Sequence, residues 1–278
     1  MKKLCTILAC LLFFGVASAQ AAEKVRLIYV EWPCATITHY IAKEVIETRL
    51  NQQVEMLPVS VPLMFQALAN KQADASLSVW LPLTHESYME KLGSKLVDLG
   101  PIVGGCRLAW VVPDYVPITT MEGLRGQADK FKGRVYGIEP GANYGLQSER
   151  AIKEYGLDGF ELIESSDALM VATLADAIRR NEWVVVTGWA PHWKFARWPL
   201  HFLEDSKKLF GGEEGIHVIT RLGLAESNPK LNAFLDNFFF TDTQQLQILM
   251  DAIQHDAPEV VAKRFVQENP DQVNEWLK

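Results

Sequence analysis

Short runs of β-branched and aromatic residues alternate along this chain with segments whose apolar positions recur every three or four residues. Val25–Val30 reads as a first strand. From Ala35 to Leu50, Ile37, Ile41, Val45, Ile46 and Leu50 share one helical face. Val54–Val59 is a second strand, and Pro62 opens a short helix through Ala69. Asp74–Trp80 is a third strand running into Leu81-Pro82-Leu83-Thr84-His85. After Leu99-Gly100-Pro101, Arg107–Val112 reads as a strand that crosses into a second unit, where the pattern begins again. There Val135–Ile138, Phe160–Ile163 and Trp183–Thr187 are strands, separated by helical periodicity over Leu146–Tyr155 and Ala168–Arg180. Val184-Val185-Val186 predicts a strand buried on both faces, with Gly188 freeing the backbone to bend at its end. Leu200–Leu203 and His217–Thr220 are short strands, the second a return crossing. The remainder is helical over Leu231–Phe239, Gln244–Ile253 and Pro258–Val266, and is expected to pack on the first unit. Such alternation predicts an α/β protein of two lobes, each a sheet flanked by helices.

Residues 1–22 carry Lys2 and Lys3, an apolar run from Ile7 to Val16 and the small-residue exit Ala17–Ala22, the marks of a secretory signal. The run is too short to span a bilayer. With Lys2 and Lys3 gone and no acid lost, 25 basic residues face 34 acidic ones, a net charge of −9. That balance argues against nucleic acid and anionic lipid as partners. The mature chain is expected to be periplasmic and monomeric. Its lobes are drawn as residues 23–107 with 218–278, and residues 108–217. Cys34 and Cys106 survive processing; an oxidising compartment permits a Cys34–Cys106 disulfide, and two buried thiols would read the same way.

A tryptophan stands at the carboxyl end of three strands: Trp32, Trp80 and Trp189. Ligands of open α/β sheets bind at that edge. Three indoles meeting at one point attract a cation through their ring faces, by about 0.5–2 kcal/mol per contact. A quaternary ammonium suits such a box, whereas a primary ammonium would be stripped of water with no acceptor in return. Pro140-Gly141 turns the chain, and the backbone N–H groups of Asn143 and Tyr144 then open a helix, a place that favours an anion. His85, five residues after Trp80, could add a donor to a carboxylate or merely cap its helix.

The segments Tyr29-Val30-Glu31-Trp32, Trp80-Leu81-Pro82-Leu83-Thr84-His85, Gly137-Ile138-Glu139-Pro140-Gly141-Ala142 and Thr187-Gly188-Trp189-Ala190-Pro191-His192-Trp193 resemble those of the glycine betaine/proline betaine binding proteins of ABC transporters. The similarity covers nearly the whole mature chain in one order. It implies a two-lobed periplasmic binding protein fold of type II and a trimethylammonium cage of Trp32, Trp80 and Trp189. It also implies a ligand carboxylate met by the backbone at Asn143 and Tyr144 and by His85, with a membrane permease as protein partner. Many family members have glycine where Asn143 stands. Choline-selective relatives carry aspartate at the position of Cys34, which weighs against choline here. Carnitine, trimethylamine N-oxide and dimethylsulfoniopropionate offer the same methyl-clad cation and stay open as ligands.

A secreted enzyme with Cys34 as nucleophile and His39, His85 or His192 as base is the competing class. Neither a Gly-x-Ser-x-Gly elbow nor a His-Glu-x-x-His metal motif supports it. No catalytic residue, metal or cofactor is expected.

Overall fold

The computed structural model describes residues 24–141 and 143–278; the signal segment read at residues 1–22 lies outside them. Strand β1 (Val25–Tyr29) leads through Trp32 into α1 (Pro33–Arg49), with Pro33 in the first helical turn, where its missing N–H costs nothing. The predicted apolar stripe is buried, with Ile37, Ile41, Val45 and Ile46 fully enclosed. Strand β2 (Val54–Pro58), α2 (Val61–Ala69) and β3 (Ala75–Leu81) follow, then α3 (Glu86–Leu92). β1 lies between β2 and β3 and is parallel to both.

Strand β4 (Leu96–Pro113) is far longer than the expected Arg107–Val112. It is followed by β5 (Arg134–Tyr136), α4 (Asn143–Glu154), β6 (Glu161–Ile163), α5 (Asp167–Arg180), β7 (Val185–Ala190), α6 (Lys194–Arg197), β8 (Leu200–Phe202) and β9 (Glu214–Arg221). From Leu96 to Cys106, β4 pairs with β9, which pairs in turn with β3. From Arg107 onwards it pairs with β7, and from Val111 also with β8. The order β2-β1-β3-β9-β4-β7-β5-β6 therefore runs through one shared strand. β9 already pairs with Cys106 at Glu214, three residues before the expected return strand.

The rest is helical: α7 (Leu224–Ser227), α8 (Pro229–Asp236), α9 (Thr243–Ala252), α10 (Pro258–Glu268) and α11 (Pro270–Trp276). α9 and α10 pack on α1, and α8 and α9 on β4, so the tail covers the first group of strands as anticipated. Phe240 N–H donates to Ile102 C=O at 2.8 Å, and Trp276 stacks on Phe238 at 4.3 Å between centroids. No helix among the described residues is long and apolar enough to cross a membrane.

Two further expectations are corrected. The seventh strand does not stop before Gly188 but runs through Trp189 to Ala190. Gly188 is there for closeness, not for a bend: a Cβ would lie 2.2 Å from Val111 Cγ2. The Cys34–Cys106 bridge is also absent. Both cysteines are free and buried, Cys34 in the first turn of α1 and Cys106 on β4 with its Sγ 4.0 Å from Gly104 C=O.

Candidate functional site

The three expected tryptophans do meet. Trp32, Trp80 and Trp189, each no more than 5% exposed, wall one pocket with Thr84, Leu108, Ile138 and Tyr144. Each indole reaches it by a different route. Trp32 caps α1 beyond the end of β1, whereas Trp80 and Trp189 lie inside β3 and β7. Leu108 is Trp189's cross-strand partner on β4, so one sheet face delivers both. The structure adds Thr84, Leu108 and Ile138 to the wall; Leu108 and Ile138 look like ordinary core residues in sequence, and only the strand register reveals the first.

Behind this wall polar groups hold the three tryptophans in different ways, Trp80 through its backbone, Trp32 through its indole N–H and Trp189 through contacts to its ring. The Trp80 backbone N–H donates to His85 Nδ1 at 2.8 Å, and the His85 backbone N–H returns a bond to Trp80 C=O at 3.0 Å. That closes the turn between β3 and α3. Glu214, buried at the start of β9, accepts from Leu83 N–H at 3.1 Å, Thr84 N–H at 2.9 Å and Thr84 Oγ1 at 2.6 Å, fixing the same turn from across the sheet. Trp32 Nε1–H donates to Glu139 Oε1 at 2.5 Å, from the end of β1 to the turn before α4. Burial, with a smaller push from Asp167, raises the Glu139 carboxyl above its ordinary range against bonds that lower it.

Trp189 is backed by a buried cluster. His192 meets its ring edge-on at 4.8 Å, and the Lys194 ammonium lies 4.5 Å from its ring centroid, outside the pocket wall. Lys194 is wholly buried, donates to Thr187 C=O at 3.3 Å, and is brought down to about 8 by burial, with Asp167 pulling the other way. His192 Nδ1 accepts Lys194 N–H at 3.1 Å, so the neutral ring carries its proton on Nε2, 3.4 Å from Asp167.

His85 is in the neighbourhood the sequence assigned but not in the pocket wall itself. Its ring stacks along Trp32 with centroids 5.9 Å apart, next to Phe65 and Tyr88. Because Nδ1 accepts the Trp80 N–H, the neutral ring must carry its proton on Nε2, and that buried donor has no partner among the described residues. Burial lowers its pKa to about 3, so it donates without being a cation.

Asn143 and Tyr144 divide. Asn143 begins α4 as expected, but its Oδ1 accepts from Ser87 Oγ at 3.1 Å in a neighbouring groove, away from the indoles. Tyr144, read for its backbone alone, puts its ring into the pocket wall. Its hydroxyl lies 2.8 Å from Ala109 C=O and 2.6 Å from Gly188 C=O, and accepts Gly188 N–H at 2.9 Å. It thereby ties α4 to β4 and β7; burial pushes its phenol upwards.

Among the described residues, no three His, Cys, Asp or Glu side chains are grouped to hold a metal ion. An aromatic wall without a charged lining residue can host a cation that has no N–H of its own to satisfy. Fold and site together define a two-lobed solute-binding protein. The chain belongs to the substrate-binding domains of ABC-type glycine betaine transport systems, whose family profile matches residues 23–268. It is 40% identical over 144 residues to the glycine betaine/carnitine transport binding protein GbuC of Listeria monocytogenes, covering 51% of this chain and 48% of that protein. The chain thus matches about half the length of that relative. Two solved structures resemble it throughout. The glycine/betaine/L-proline-binding protein ProX of Borrelia burgdorferi is 35% identical with a TM-score of 0.88, over 92% of this chain and 97% of that one. Lactococcal OpuAC, closed on glycine betaine, is 33% identical with a TM-score of 0.87, over 92% and 100%. These relatives are transport binding proteins.

Proposed function

We propose that this protein captures glycine betaine or a closely related quaternary ammonium osmolyte and hands it to the permease of an ABC importer. The observation that carries the reading is the convergence of Trp32, Trp80 and Trp189 on one apolar pocket. Each ring face contributes about 0.5–2 kcal/mol towards a methyl-clad cation, and none offers an acceptor that a primary ammonium would need. The unpartnered Nε2–H of His85 supports a carboxylate at the margin, joined by the backbone donors that open α4 at Asn143 and Tyr144.

The lobes are taken as residues 23–107 with 218–278, and residues 108–217, except that residues 214–217 go with the first lobe because β9 pairs there with β3 and the first half of β4; the hinges lie where β4 passes from β9 to β7 and where the chain enters β9. Opening the lobes by hinge motion would separate Trp32 and Trp80 from Trp189, which meet in the closed arrangement. On this reading the mature protein works in the periplasm, as a monomer that binds without catalysis and needs no cofactor.

Isothermal titration with glycine betaine, choline, carnitine, trimethylamine N-oxide and dimethylsulfoniopropionate tests the reading. Glycine betaine is expected among the tightest, recovered unchanged. His85→Ala should weaken carboxylate ligands more than choline. Failure of every cation in the panel to bind would overturn the proposal.

A further inference from the structure

Three side chains reach across to the single turn between β5 and α4. Trp32 Nε1–H donates to Glu139 Oε1 at 2.5 Å, Ser87 Oγ donates to Asn143 Oδ1 at 3.1 Å, and Tyr88 OH donates to Gly141 C=O at 2.7 Å. All three donors follow strands of the first group, β1 and β3, while the turn follows β5 of the second. Gly141 allows the approach: at φ +103° a Cβ would lie 3.1 Å from Pro62 Cδ. Among these bonds Glu139 is singular, because its partner is a cage indole and its acceptor is a carboxylate.

We propose that Glu139 is a positioning and specificity-determining residue that completes the cage by fixing Trp32 across the cleft and sets which cations the cage prefers. The proposal rests on the reading of the three-indole pocket as a quaternary ammonium site. Two consequences follow from the one contact. Glu139 holds Trp32 in place only when the two groups of strands are together, so cage assembly and closure are a single event. Its carboxylate also sits at the N–H edge of the indole, outside the pocket wall, where it contributes negative potential without occupying the ligand's space.

Negative potential acts unequally on two ligands of the same cationic head. A ligand with only the cation, such as choline, gains the whole attraction. A zwitterion such as glycine betaine gains at its ammonium and loses at its carboxylate, and the two effects partly cancel. Glu139 therefore biases the cage towards the purely cationic ligand, in opposition to the His85 donor.

Glu139→Gln keeps an acceptor for the indole and removes the charge; Glu139→Ala removes both. Affinities for choline and glycine betaine are measured by calorimetry in the unaltered protein and both variants, with thermal melts to confirm folding. The expected result for Glu139→Gln is a loss for choline on the order of tenfold, with a smaller change for glycine betaine. Glu139→Ala should weaken both ligands, and the glycine betaine affinity it loses should be largely recovered in Glu139→Gln. Equal factors for the two ligands in Glu139→Gln, or unchanged affinities in Glu139→Ala, would overturn the role of Glu139 alone. If the unaltered protein binds neither ligand, the underlying reading of the cage falls and this proposal with it.

Discussion

Replacing Trp189 by alanine removes one cage wall, and the structure bounds the cost. The ring is 5% exposed, faces the pocket beside its cross-strand neighbour Leu108, and carries the Lys194 ammonium at 4.5 Å outside that wall. The ligand loses one cation–π contact, about 0.5–2 kcal/mol, and the apolar contact of its methyl groups with a large ring, typically about 1–3 kcal/mol for a buried aromatic anchor. The two contributions overlap, so a total of about 1–4 kcal/mol is expected, or roughly 5- to 1,000-fold in affinity. Truncation also uncovers Lys194, a like charge to the ligand, which pushes in the same direction. The folded state itself loses about 3–5 kcal/mol when a buried Trp becomes Ala, so each titration needs a melting curve beside it. Trp189→Phe separates the causes, because it keeps a ring face over Lys194 and should cost less than about tenfold. A ligand in which a quaternary carbon replaces the nitrogen isolates the charge and should bind at least about tenfold more weakly to unaltered protein. Calorimetric affinities for folded Trp189→Ala within a factor of three of the unaltered protein, or equal binding of the uncharged isostere, would refute the cage.

Three further outcomes are expected. Asp74 is bonded by Arg26 N–H at 2.8 Å and by Arg221 Nε at 2.7 Å, and joins β1, β3 and β9; Asp74→Ala leaves two arginines without this carboxylate and should cost about 3 kcal/mol, a fall in Tm of roughly 6–12 °C. An unchanged Tm would show that the cluster is solvent-compensated. His39, His85 and His192 are held by burial at about 4, 3 and 4, below the ordinary 6.5, so their neutral forms stabilise the fold above pH 6.5 and this contribution is lost as pH falls towards 4. The Tm should drop between pH 6.5 and 5, and less steeply in His39→Gln; a flat Tm over that interval would contradict the burial argument. Cys34 and Cys106 are pushed up to about 12, chiefly by burial, so a thiol reagent at pH 8 should label neither until the protein is unfolded, when both react. Rapid labelling of native protein, or no labelling after unfolding without reductant, would contradict two buried free thiols.

The local pattern was enough for the element order and for the three indoles, because each strand and each helix face is written in neighbouring residues and the tryptophans follow or end strands. The α/β alternation, the buried stripe of α1 and the covering role of the C-terminal helices could all be read this way. Partners that lie far apart in the chain could not. Nothing near Gly188 announces that Val111 will press against it, or that β4 extends back to Leu96 to pair with β9 before it meets β7. Glu214 serves a turn 130 residues away, and Glu139 an indole 107 residues away; an isolated acid in sequence has no visible partner. Lys194 reads as a surface charge beside Trp193 and is instead buried against the wall residue Trp189. For Asn143 and Tyr144 the helix start was legible, but which side chain turned inward depended on Ser87, Ala109 and Gly188 coming together in space. Periodicity fixes which face of an element is apolar, while only tertiary packing decides which polar groups are closed off from water and therefore have to find one another.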